Sequence, residues 1–189
     1  MDPLIIALIV IAVVVLAVGV LLYNGLVTKR NRVQEAVGQI EVQLKRRHDL
    51  VPNLVAAVRD YMGFEQDVLT KVTEARANAV AAGAGGAVTR EQVNAENALT
   101  GALRSLFAVA ENYPQLKANE NVLALQEQLT TTENQISFAR QHYNASVNDY
   151  NTTVQTFPSM LIAGPLGFAP REFFDAEPEA DTVPTVALR

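Results

Sequence analysis

The chain of 189 residues has no cysteine, no tryptophan and only two histidines, and aromatic residues make up 6% of it. Without cysteine there is no disulfide, no thiolate metal site, no cysteine nucleophile and no lipid anchor on a thiol. Charged residues are sparse at 19% and sum to a formal −5, which argues against nucleic acid as a partner. The glycines form neither a GxGxxG nor a Gly-Lys-Ser/Thr phosphate loop, and HExxH and the nucleophile elbow are missing as well. His48 and His142 are preceded three residues earlier by Lys45 and Ala139, so the Glu-x-x-His pairs of di-iron bundles do not occur. The expectation is a chain with no catalytic, cofactor-binding or metal-binding residues, hence no cofactor and no enzyme activity. The length allows one domain with appendages.

What is present is an uneven distribution of apolar residues. Leu4 to Tyr23 (LIIALIVIAVVVLAVGVLLY) is an unbroken run of twenty with no charge or amide. As a helix it is about 30 Å long, the thickness of a bilayer's hydrocarbon core. A cleaved signal peptide would carry a basic start and a shorter apolar stretch. Here the start is Met1-Asp2-Pro3 and the run continues past Ala17-Val18-Gly19, so a retained anchor that contacts the bilayer through residues 4–23 is expected. Lys29, Arg30 and Arg32 flank its far end. Basic flanks stay on the cytoplasmic side, which predicts a single-pass membrane protein with its N-terminus outside and its body cytoplasmic. Residues 24–60 hold seven Lys/Arg against four Asp/Glu, whereas residues 61–189 hold eight against fifteen. A basic membrane-proximal segment suits an anionic inner leaflet.

The remainder reads as helix. Val33, Val37, Ile40, Leu44, Val51, Leu54, Val58 and Met62 recur at three- and four-residue steps, and Phe64, Val68, Leu69 and Val72 extend the stripe toward Ala82. Pro52 lies inside it without a change of phase, which favours one helix over 26–82 kinked at Pro52 rather than two. Ala82-Gly83-Ala84-Gly85-Gly86 is a connection. Thr89 with Gln92 then makes a capping box for a helix over 89–112, carrying Val93, Leu99, Leu103, Leu106 and Phe107. The third helix, 116–157, places Val122, Leu129, Ile136, Tyr143, Tyr150 and Phe157 seven apart, the spacing by which helices pack lengthwise. The fold class is therefore all-α: an N-terminal transmembrane helix, residues 1–23, followed over 24–157 by an up-and-down antiparallel bundle of three to four long helices. Residues 158–175, apolar but broken by Gly and Pro, form either a strap over the bundle or a docking or membrane-dipping segment that leaves Phe168, Phe173 and Phe174 exposed. Residues 176–189 are an acidic tail expected to be disordered. Asn134, Asn144, Asn148 and Asn151 are poor helix formers on the last helix, and their amides can bond a partner helix or subunit.

Several motifs together resemble the LemA family of bacterial membrane proteins. They are Gln43-Leu44-Lys45-Arg46-Arg47-His48-Asp49-Leu50-Val51-Pro52-Asn53-Leu54-Val55, then Phe64-Glu65 with Arg76-Ala77, then Tyr113-Pro114-Gln115-Leu116-Lys117-Ala118-Asn119-Glu120-Asn121. Glu133-Asn134-Gln135-Ile136, Ala139-Arg140, Tyr143-Asn144, Tyr150-Asn151 and Phe157-Pro158 continue the likeness. The resemblance implies a short anchor, a cytoplasmic bundle of long helices and no established enzymatic activity. It marks Arg47, Asp49, Pro52, Asn53, Tyr113, Pro114, Asn119, Asn121, Glu133, Asn134, Arg140, Tyr143, Asn144, Tyr150 and Asn151 as structural motif residues. Relatives associated with membrane proteases and with magnetosome membranes suggest a scaffold or adaptor that works through a protein partner or as a homo-oligomer. A regulator of a membrane protease, a membrane-remodelling factor, and an enzyme with a site around Arg47, His48, Asp49 and Arg140 are the alternatives.

Overall fold

The computed structural model describes residues 2–62, 65–85 and 88–174. Phe64 and the acidic tail lie outside the described residues. Every regular element among those described is helical: α1 (Pro3–Arg59), α2 (Gln66–Ala82), α3 (Arg90–Ala110), α4 (Pro114–Lys117), α5 (Glu120–Gln155) and α6 (Met160–Ala163), with a 3-10 turn at Gly83–Gly85. The chain is thus all-α, with one long apolar N-terminal helix followed by a bundle of helices.

The expected helix over 26–82 is two helices. α1 starts at Pro3, just ahead of the apolar run, passes through Pro52 and ends at Arg59. α1 continues past Pro52 as far as Arg59, so the break falls not at the proline but four residues before Gly63 in the sequence. Glycine costs about 1 kcal/mol in a helix interior relative to alanine, and one stripe can continue in phase across such a break. Tyr61 and Met62 close the helix end through backbone bonds to Val58 O at 3.1 and 3.0 Å.

Contacts divide the chain into two compact units. The first comprises Met1–Glu41 and Gln141–Arg171. In it α1 buries Leu26, Val33, Ala36, Val37 and Ile40, and α5 buries Tyr143, Val147, Tyr150 and Val154. The two segments run antiparallel, and Lys29 Nζ on α1 meets the Asp149 carboxylate on α5 at 2.5 Å. α6 and the turn after it follow α5; the turn closes through Phe168 N to Ala163 O at 2.9 Å.

The second unit comprises Val42–Arg140 and the residues from Glu172. Its core joins Val51, Leu54 and Val58 of α1, and Met62 just after it, to Leu69 and Val72 of α2, Leu99, Leu103 and Leu106 of α3, and Val122 and Leu129 of α5. Thr89 caps α3, its side chain accepting from Gln92 N at 3.2 Å. Pro114 occupies the first turn of α4, where its missing N–H costs nothing. Asn119 precedes α5, and its Oδ1 accepts from Asn121 N at 3.0 Å and Val122 N at 3.3 Å, as a helix cap does.

The seven-residue repeat on α5 holds from Val122 to Tyr150, all buried. It fails at Phe157, which is 72% exposed. α5 ends at Gln155, because a residue followed by proline is pushed out of the α region and Pro158 follows Phe157. The expected bounds of 116–157 were therefore too generous at both ends.

Candidate functional site

Two features distinguish this chain from an ordinary helical domain. The first is the start of α1. The most apolar 18-residue stretch of α1 has none of its residues buried. By length and composition this helix can cross a membrane. Inside lipid a helix satisfies all its own backbone polar groups, and a sheath of exposed Ile, Leu and Val matches hydrocarbon rather than water.

The second is a cluster of charges in the second unit, centred on a buried pair. Arg47 on α1 is fully buried, as is Glu96 on α3. Arg47 Nη2 donates to the Glu96 carboxylate, and Nη1 donates to Glu133 Oε2 on α5 at 2.6 Å and to Thr100 Oγ1 at 2.9 Å. His48 Nε2 lies 2.9 Å from the second oxygen of Glu96. From α2, Arg76 Nε donates to the His48 carbonyl at 2.6 Å. One cluster therefore ties α1, α2, α3 and α5 together. Burial alone would push the Glu96 carboxyl up, but the hydrogen bond from His48 and the charge of Arg47 hold it below the usual carboxylate range. A cationic guanidinium is thus held between two carboxylates, and the best-attested use of such buried ion pairs is to fix the register of helices.

The sequence carried a signal for this cluster. Arg47 stands at the stripe position between Leu44 and Val51 on α1, and Glu96 stands between Val93 and Leu99 on α3. Opposite charges at core positions of two different helices point to a pair, and Glu96 was not among the expected residues.

The remaining motif residues divide by role. Tyr113, Pro114 and Asn119 build the turn between α3 and α5. The Tyr113 hydroxyl donates to Glu65 Oε1 at 3.4 Å, and partial burial and the Glu65 carboxylate raise the phenol above its ordinary value. Asn119 also donates to the Tyr61 hydroxyl at 3.3 Å. On α5, the Tyr150 hydroxyl donates to Ala169 O at 3.1 Å. Asn151 donates to Arg171 O at 2.9 Å and accepts from Arg171 N at 2.8 Å. These two residues hold the segment after α6, so the Asn151 amide is spent within the chain and not on a partner helix. Arg140 donates to Asn97 Oδ1 at 3.3 Å and lies over the Phe174 ring at 4.5 Å. Tyr143 is buried and Asn144 half-buried, whereas Asp49, Pro52, Asn53, Asn121 and Asn134 are exposed. Of the Arg47, His48, Asp49 and Arg140 grouping, Arg47 and His48 are buried, Arg140 is half-buried and Asp49 faces solvent.

Of the basic residues beyond the apolar run, Lys29 is paired with Asp149 and Arg30 lies 5.2 Å from the Phe168 ring centre; Arg32 is exposed. Phe168 and Phe174 are buried and Phe173 is exposed, so the segment after Phe157 is partly a strap and partly not.

The LemA family model matches residues 36–188. Magnetosome protein MamQ 2 of Paramagnetospirillum magneticum is 27% identical over a stretch covering 85% of this chain and 67% of that protein. Magnetosome protein MamQ of Magnetospirillum gryphiswaldense is 25% identical with the same coverage. Protein LemA of Metamycoplasma hominis is 27% identical over 88% of this chain and 75% of its own length.

Proposed function

Taking as premise that the chain belongs to the LemA family, we propose that it is a membrane-anchored helical scaffold or adaptor. It acts at the cytoplasmic face of the cell membrane, through protein contacts or self-assembly and without catalysis. The observation that carries this reading is the continuity of α1: an unburied apolar stretch and a core-forming stretch belong to one helix of 57 residues. A body built on such a helix is confined to the membrane plane, where tethering raises the effective concentration of partners. The buried Arg47 cluster fits the same role, since a scaffold must present a fixed surface and paired core charges penalise helix slippage. Relatives named as magnetosome proteins support a role at membranes.

The test is in-membrane crosslinking of the full-length chain, combined with its size in mild detergent. A reproducible homo-oligomer or a defined partner complex is the expected result. A monomer with no crosslinked neighbour would remove the proposal.

A further inference from the structure

Beyond α1's apolar stretch, the exposed large apolar side chains among the described residues are unevenly placed. Val42, Tyr61, Val80, Leu123, Phe138 and Phe173 are scattered singly, as on any protein surface. Phe157, Met160, Leu161 and Leu166 instead fall within ten residues, each more than half exposed. They surround α6, in a stretch from Thr156 to Pro170 without a single charged residue.

The first unit fixes where that stretch lies. Phe168 is buried, its ring edge-on to Tyr23 with centroids 5.8 Å apart. Tyr23 is the last residue of the apolar run, and the Arg30 guanidinium covers the same Phe168 ring. Phe168 is tied to α6 by its backbone bond to Ala163 O, and Ala163 is buried. Below, Tyr150 and Asn151 hold Ala169 and Arg171. The four exposed side chains are therefore carried on a braced loop beside the end of the apolar run, where a spanning helix leaves the hydrocarbon.

We propose that α6 and its flanking turns are a second membrane contact. Phe157, Met160, Leu161 and Leu166 insert into the interfacial layer of the same bilayer that α1 crosses. This rests on the anchor reading and adds to it. The stretch is too short and too broken by Gly and Pro to span a bilayer, but short apolar segments lying in the interface suit the headgroup and acyl boundary. Tyr23 and Arg30 are interfacial residue types at the same level, an aromatic ring and a snorkelling cation. With two points of attachment the first unit is fixed in orientation against the membrane, where a single helix would leave it free to swing.

The absence of native cysteine makes the test direct. Full-length single-cysteine variants Val13→Cys, Leu161→Cys, Leu166→Cys and Glu35→Cys are labelled with an environment-sensitive fluorophore. They are reconstituted in phosphatidylethanolamine/phosphatidylglycerol vesicles containing doxyl-lipid quencher. Glu35 lies twelve residues past Tyr23, about 18 Å along the helix, and serves as the aqueous reference. The expected result is severalfold stronger lipid quenching at Val13, Leu161 and Leu166 than at Glu35. Quenching at Val13 with Leu161 and Leu166 no different from Glu35 overturns this contact and leaves the anchor standing. No quenching at Val13 overturns the anchor and this contact with it. Concentration-dependent shielding of Leu161 from aqueous iodide, without lipid quenching, assigns the patch to a second copy and also overturns the proposal.

Discussion

Replacing Arg47 with methionine removes the cation at the centre of the buried cluster while keeping most of its volume. Glu96 is then left with only the His48 imidazole as a neighbour, at 2.9 Å, inside the core. Breaking a buried pair by removing one member costs about 3–5 kcal/mol, because the surviving charge has lost its compensation. The His48 contact places the expected loss near the lower end. With a urea dependence of about 2 kcal/mol per molar, the unfolding midpoint of the full-length protein in mild detergent falls by about 1.5 M or more. The assay is far-UV circular dichroism during urea titration. Glu96→Gln alone should cost less, since Arg47 keeps Glu133, whose side chain is 38% exposed. The double variant Arg47→Met/Glu96→Gln should recover about 2 kcal/mol relative to the sum of the singles, as groups in direct contact do. If Arg47→Met lies within about 1 kcal/mol of the parent, or the two substitutions are additive, Arg47 and Glu96 are not the coupled pair described here.

Two further outcomes follow from the same structure. Asn119→Ala removes the cap of α5 and should cost about 0.5–2 kcal/mol, with faster amide exchange confined to Asn121 and Val122, while Asn119→Ser retains most of the protection. Glu96 has a folded-state pKa below its ordinary value of 4.5, so its stabilising contribution is complete above that value and lost as the pH falls through the lowered one. Urea midpoints measured from about pH 6 to pH 3 should therefore fall less steeply in Glu96→Gln than in the parent; equal slopes would remove Glu96 from the acid response.

Local periodicity made much of the fold legible. The apolar run, the Thr89 cap and the spacing from Val122 to Tyr150 each depend on residues within a few turns of one another, and each appears in the structure where the pattern places it. The failures have a common cause as well. The stripe from Val33 to Met62 keeps its phase beyond Arg59, the last residue of α1, and an apolar pattern alone does not register where a helix ends. Phe157 obeys the seven-residue spacing but sits before Pro158, and backbone sterics outweigh the pattern. The Arg47–Glu96 pair was hidden because its members are 49 residues apart and each, read singly, resembles a solvated charge. Only their shared occupation of stripe positions discloses them. An asparagine such as Asn151 on a helix suggests an amide available to a partner, whereas here it matches the backbone of Arg171, a contact between residues twenty apart.

The account depends most on α1 remaining in the membrane as part of the mature protein. Alkaline carbonate extraction of native membranes, followed by intact-mass measurement of the extracted and retained fractions, tests this directly. The prediction is a chain in the membrane pellet that still contains Leu4–Tyr23. Recovery of a soluble product lacking those residues would contradict it.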